Sequence, residues 1–148
     1  MRSYILIPIL SPHIRQKSPK IYIYHNYTND SFSYVVGSVD GLRVPALETF
    51  SYSASKAGLH QLTKVLANHL GKRGITVNAL ACGPFESKMM AKTLEDFKEV
   101  IVSGIPLGRI GSPQDVAGAC LFLGGRAGSF VNGAVIPLDG GSLVGSKL

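Results

Sequence analysis

Tyr52 and Lys56 stand four residues apart in the stretch Ser51-Tyr52-Ser53-Ala54-Ser55-Lys56-Ala57-Gly58-Leu59-His60-Gln61-Leu62. On an α-helix that spacing puts a phenol and an ammonium one turn apart on the same face. A free phenol titrates near ~10, and a neighbouring positive charge favours the phenolate. The pair is therefore a proton donor suited to the alkoxide that forms when hydride reaches a carbonyl carbon. Taken alone, Tyr-x-x-x-Lys is also a common surface pair on an amphipathic helix, so the elements around it decide between the two readings.

Those elements read as an alternation of strands and helices. Leu59, Leu62, Leu66 and Leu70 recur at spacings of three and four, which predicts a helix capped by Thr49 or Ser51 and ended near Gly71 or Gly74. Before it, Tyr34-Val35-Val36-Gly37 reads as the end of a strand, with Ser38 at its carboxyl end, where ligands bind in open α/β sheets. A serine there either offers a hydroxyl donor to a carbonyl or closes a strand–loop turn. Val39 to Phe50 reads as a loop. After the helix, Ile75 to Ala81 fits a strand buried on both faces. Met89 to Ser103 shows an apolar stripe of Met90, Leu94, Phe97 and Val100, and Ser112-Pro113 opens another helix with Val116, Cys120 and Leu123 facing inward. Gly133 to Leu138 reads as the last strand, followed by the turn Asp139-Gly140-Gly141, whose acid is expected to be structural. Arg109 is expected to brace its loop, and His60 and His69 to be surface or interface residues.

Tyr52 to Gly58, then Gly74-Ile75-Thr76-Val77-Asn78-Ala79-Leu80, Ile105-Pro106-Leu107-Gly108-Arg109-Ile110-Gly111 and Pro137-Leu138-Asp139-Gly140-Gly141 together resemble the short-chain dehydrogenase/reductase family. The likeness runs from about Val36 to Leu143 and is nearest the β-ketoacyl reductases, particularly the rhamnolipid-type branch. That branch resembles this chain in the fourteen positions from Ser38 to Tyr52. The extended-type epimerases share Tyr-x-x-x-Lys, but the Ile105 to Gly111 motif and the early carboxyl terminus argue against them. The resemblance implies an α/β fold, the carboxyl-terminal half of a doubly wound Rossmann-type parallel sheet. It implies Tyr52 as general acid/base, Lys56 as the group that assists it and binds the nicotinamide ribose, and Ser38 as the residue orienting the carbonyl. By the same resemblance Gly83, Phe85 and Ser87 hold the nicotinamide carboxamide, although Cys82 stands where the family usually has proline. That thiol reads as packing, with no histidine near enough in sequence to activate it. The implied cofactor is NADP or NAD, and the implied substrate a small-molecule carbonyl or acyl thioester. Full-length family members are homo-oligomers, and Met89 to Ser103 corresponds to their mobile lid.

The amino-terminal part departs from the family. Residues 1–33 read as an unassigned, non-family segment, and residues 34–148 as a partial reductase domain. Among 17 glycines no two are spaced i, i+2, so the Gly-x-Gly-x-x-Gly turn that brings backbone N–H groups to a pyrophosphate is missing. The expectation is that the amino-terminal half of the sheet is missing or replaced, as in a truncated product or a gene model without its first exons. The isolated chain is then expected to be inactive or nearly so, with one sheet edge open to aggregation unless the amino-terminal apolar segments Met1 to Leu10 and Ile21 to Tyr24 cover it. The alternative to an enzyme is a catalytically inactive module that joins oligomers of intact relatives.

Composition narrows the class further. One domain is expected from 148 residues, and 45% apolar with 16% charged residues fits a globular protein. The net charge of +6 comes from dispersed lysines and arginines, without the basic run of a nucleic-acid binder. No run approaches the ~18 apolar residues of a membrane span, and the short apolar stretch Tyr4 to Leu10 lacks a cleavage site. Cys82 and Cys120 have no metal-ligand spacing, so no metal and a cytoplasmic location are expected.

Overall fold

A computed structural model describes residues 21–25, 31–88 and 90–145. The expectations for Met1 to Leu10, for a turn over residues 26–30, and for Met89 fall outside those residues. Four strands form one sheet in the order β1-β2-β3-β4: β1 (Ile21–His25), β2 (Ser31–Val36), β3 (Ile75–Cys82) and β4 (Val135–Leu138). β2, β3 and β4 are mutually parallel, whereas β1 pairs antiparallel with β2 from Ile21 opposite Val35 to His25 opposite Ser31. The edge of β2, expected to lie open unless an amino-terminal apolar segment covered it, is thus paired with Ile21–His25. β2 itself begins at Ser31, three residues ahead of the boundary read from the sequence.

The described residues hold three α-helices, α1 (Phe50–Gly71), α2 (Ala91–Ser103) and α3 (Pro113–Gly124), of which α1 and α3 pack on the sheet. Side chains alternate across a strand, so β2 sends Val35 to one face and Phe32 and Tyr34 to the other. Val35, Ala79 of β3 and Leu59 of α1 are the buried centre of the core, with Leu62, Leu66 and Val135 packed on it. On the opposite face, the Phe32 ring lies against Gly124 at the end of α3, where a Cβ would collide with it. Helices therefore cover both faces of the sheet, as the doubly wound reading requires. Val77, Asn78, Ala79, Leu80 and Ala81 are each at most 1% exposed, which accounts for the unalternating apolar run of β3.

Two asparagines fix how the chain enters β4. Asn78 donates to Val131 O (2.8 Å) and accepts from Ala134 N (3.0 Å). Asn132 accepts from Val77 N (2.9 Å) and donates to Ala67 O (3.1 Å), tying β3, α1 and the β4 approach together. Each of these amides faces buried backbone that has no strand partner there.

Several details differ from the sequence reading. Thr49 occupies the cap position of α1, but its hydroxyl lies near Leu47 O and Ser53 Oγ instead of an orphan N–H. α2 is broken at Phe97 (φ −132°, ψ 16°) and has no buried residue; of its stripe, Met90 and Leu94 are half-buried and Phe97 and Val100 exposed. The cap at Ser112, by contrast, is as read, and Asp115 adds to it: the carboxylate accepts from Ser112 N (2.8 Å) and Oγ (2.7 Å).

Candidate active site

The carboxyl ends of β2, β3 and β4 open on one rim of the sheet, and the sequence-predicted residues lie along it. Gly37 N donates to Leu80 O (2.8 Å), extending the β2–β3 ladder by one residue before the chain turns away. Ser38 follows, 6% exposed, at the start of a tight 3-10 turn over Val39–Gly41. Its Oγ accepts from Asp40 N (3.2 Å) and its carbonyl from Gly41 N (3.1 Å). The serine thus closes the turn, and that bond leaves its O–H proton unused.

α1 delivers Tyr52 and Lys56 to this rim. The Lys56 ammonium lies 5.5 Å from the centroid of the Tyr52 ring, and Nζ donates to Val36 O (3.0 Å), two residues before Ser38. The two side chains therefore meet as ammonium over ring face. Burial pushes the Lys56 pKa down, partly opposed by the nearby Cys82. Burial in turn pushes the Cys82 thiol up, against the pull of Lys56. Cys82 thus packs as a protonated thiol at the end of β3, as its small apolar character suggests.

The loop after β3 is occupied by structure of its own. Gly83 N donates to Leu138 O (3.0 Å), and a Cβ at Gly83 would lie 2.9 Å from Asp139 Cα, so glycine is required by the close approach of β4. Phe85 bridges Gly111 in parallel, with its ring in the space a Gly111 side chain would fill. Ser87 Oγ accepts from Met90 N (3.2 Å), turning the chain toward α2. A shallow pocket of about 90 Å³ is lined by Phe85, Leu107, Arg109, Asp115, Leu138 and Asp139, among others, but by none of Ser38, Tyr52 or Lys56. Arg109 braces this wall through two bonds to Asp115 (2.8 and 2.9 Å) and one to Ile110 O (3.2 Å). Asp139 accepts from Gly141 N, Ser142 Oγ and Leu143 N, a structural role as expected.

His60 corrects the sequence reading. It is 4% exposed, beneath the Ser38 turn, whereas His69 is exposed as expected. The helical period placed His60 one turn beyond Lys56, and nothing in the letters showed which loop roofs that position.

The residues at the rim fit the nicotinamide end of a dinucleotide. Lys56 spends one of its three N–H donors on Val36 O, which leaves donors for ribose hydroxyls. Among the described residues there is no glycine-rich strand–turn–helix to receive a pyrophosphate. 

Three parallel strands with helices on both faces and a Tyr/Lys helix at the carboxyl rim are half of a doubly wound α/β sheet, and residues 26–142 match the family described as enoyl-(acyl carrier protein) reductase. The chain belongs to the short-chain dehydrogenase/reductase family. Among its relatives is the rhamnolipids biosynthesis 3-oxoacyl-[acyl-carrier-protein] reductase of Pseudomonas aeruginosa, 40% identical over 72% of this chain and 42% of the relative. The 3-oxoacyl-[acyl-carrier-protein] reductase FabG of Rickettsia felis is 47% identical over 64% of this chain and 39% of the relative. The Pseudomonas aeruginosa RhlG/NADP active-site complex superposes with a TM-score of 0.71 at 37% identity, over 80% of this chain and 48% of that one. A putative 2-deoxy-d-gluconate 3-dehydrogenase from Agrobacterium tumefaciens with bound NADP gives 0.71 at 34% identity, over 78% of this chain and 47% of that one. The chain thus spans about two-fifths of the length of its curated relatives. No described helix is long and apolar enough to cross a membrane.

Proposed function

We propose that this chain carries the proton-transfer half of an NAD(P)-dependent carbonyl reductase site, acting on a 3-oxoacyl thioester or another small ketone. The observation that supports it most is the stacking of Lys56 on Tyr52 at the carboxyl end of β2, two residues from Ser38. The cofactor, when bound, supplies hydride to the carbonyl carbon. Ser38 holds the carbonyl oxygen through its free hydroxyl proton and stabilises the charge that develops there. Tyr52 gives its phenolic proton to that oxygen, and the Lys56 charge stabilises the phenolate left behind. Lys56 also binds the ribose hydroxyls, while the Gly83–Ser87 loop offers Phe85 backbone and the Ser87 hydroxyl to the carboxamide. NADP is the favoured cofactor, because solved structures that resemble the chain hold it.

The test is loss of NADPH fluorescence or absorbance on addition of an acetoacetyl thioester, together with a direct NADPH titration. Orientation accounts for ~7–11 kcal/mol of barrier lowering in well-held reactants. A chain that holds only the nicotinamide end keeps little of this, so binding weaker than micromolar and slow turnover are expected. Whatever turnover is present should fall at least ~100-fold in Tyr52→Phe, the scale of a lost general acid. Turnover that survives Tyr52→Phe removes the reading.

A second reading is favoured by one observation: the apolar side chains of Leu121 (77% exposed) and Phe130 (fully exposed) stand uncovered at the α3 end of the molecule. The chain would then dock onto intact relatives as an inactive module. Absence of turnover at millimolar NADPH, together with co-purification with a co-expressed intact reductase, selects this reading over the first.

A further inference from the structure

His60 is a buried imidazole to which the proposed chemistry assigns no task. It lies one turn beyond Lys56 and two beyond Tyr52 on the same side of α1. Neither ring nitrogen has a hydrogen-bond partner; the Gly41 backbone lies near enough to favour a charged ring slightly without forming a bond. Buried polar atoms without partners are rare, and a leucine of similar volume would fill the space without that penalty.

The shape of the surroundings shows what the ring does. A Cβ on Gly37 would collide with His60 Nε2, and one on Gly41 would stand 2.9 Å from Cε1. The two glycines bracket Ser38, and the flat ring lies against both. Gly37 is tied to β3 through Leu80 O, and Gly41 to the Ser38 carbonyl. The imidazole is thus the floor of the five-residue turn that presents the serine.

We propose that His60 is a positioning residue for Ser38: its ring, enclosed between Gly37 and Gly41, sets the turn that aims the serine hydroxyl at the rim. The catalytic meaning of that placement rests on the reductase reading above, whereas the placement itself does not. Burial and the charges of Lys56 and Lys64 hold the ring neutral. The other titratable groups of the elements packed on it are Asp40 in the turn and Cys82 on β3. A proton added to the ring in acid places a charge in a buried slot that already faces the Lys56 and Lys64 charges, so the turn should open as the ring titrates.

Amide exchange and chemical shifts of the ¹⁵N-labelled chain, without cofactor or substrate, test the proposal. His60→Ala should speed exchange of the Asp40 amide, the donor to Ser38 Oγ, at least tenfold while Thr63 in the same helix exchanges as before. Gly37→Ala should loosen the turn similarly. Adding His60→Ala to Gly37→Ala should then bring no further loss, because the colliding ring is gone and Leu80 O, 3.1 Å from the new Cβ, need give little. Gly41→Ala should not be relieved by His60→Ala, because its Cβ also meets the α1 backbone at Lys56 C (2.7 Å) and Ala57 N (2.8 Å). Wild-type exchange at Asp40 in a folded His60→Ala chain overturns the proposal. Should that variant not fold, the wild-type chain decides by acid titration: Asp40 and Gly41 shifts must follow the His60 ring resonances, and shifts that move independently of them overturn it. Turnover lost in Tyr52→Phe alongside unchanged Asp40 exchange in His60→Ala would leave the reductase reading standing and remove this one.

Discussion

Lys56 and Asp115 show how far single residues can be read from letters. The i, i+4 spacing was enough to place the Lys56 ammonium on the Tyr52 ring, because a helix leaves little choice of neighbour. Asp115 carries four accepted bonds, two from Arg109 and two from Ser112, and these hold its carboxyl far below the usual carboxylate range. The Ser112-Pro113 start of α3 was legible as a cap. Its link to Arg109 across a turn was not, since it depends on the path of residues 109–112. A carboxyl whose pKa is depressed on folding adds stability above its unfolded value near ~4, and that stability drains away as pH falls toward the folded value. Asp115→Asn should therefore lower the thermal midpoint at pH 7 and lower it by less at pH 2.5, where part of that stability has already drained away. Equal losses at both pH values would mean the carboxylate charge contributes nothing.

At the scale of elements, α1 was the most legible and α2 the least. The leucine period of α1 predicts its buried stripe, and Leu59 (3% exposed) sits at the centre of the packing on Val35 and Ala79. Truncation there leaves a cavity that a parallel strand cannot close, so Leu59→Ala should cost ~2–5 kcal/mol in urea unfolding. Val65→Ala, on the 43% exposed side of the same helix, should stay within ~0.5 kcal/mol. Comparable losses at both positions would show that the helix does not rest on the sheet in this register. The stripe of α2 obeys the same period, yet none of its residues is buried, and the break at Phe97 leaves no trace in residue type. The Asn78 and Asn132 pair lay inside and beyond a recognisable motif, but a motif does not reveal what an amide is bonded to. Asn78→Ala frees Val131 O and Ala134 N together and should cost ~1–3 kcal/mol for each group left dry. An unchanged urea midpoint would show that water replaces the amide there.

For the whole molecule the central feature is the edge of β2. The family resemblance implies a further parallel strand beside it, and the letters upstream offered only short apolar segments that could take its place. β1 does take it, in the opposite direction, over five residue pairs. Strand direction was not legible, because an apolar pentapeptide satisfies an edge equally well either way. An exposed β2 edge would present a row of unpaired N–H and C=O groups next to a buried core, which invites pairing between chains. In an antiparallel pair alternate residues aim their N–H groups at the neighbour, so replacing two consecutive residues by proline must remove at least one of those bonds. Tyr22→Pro with Ile23→Pro should therefore release β1 and leave α1, β3 and β4 packed as before. Light scattering and size-exclusion at increasing protein concentration should then show concentration-dependent aggregation at a helical circular-dichroism signal close to that of the parent chain. A double variant as monodisperse as the parent would mean that β1 does not protect the edge, and that β2 resists pairing through its own twist and side chains.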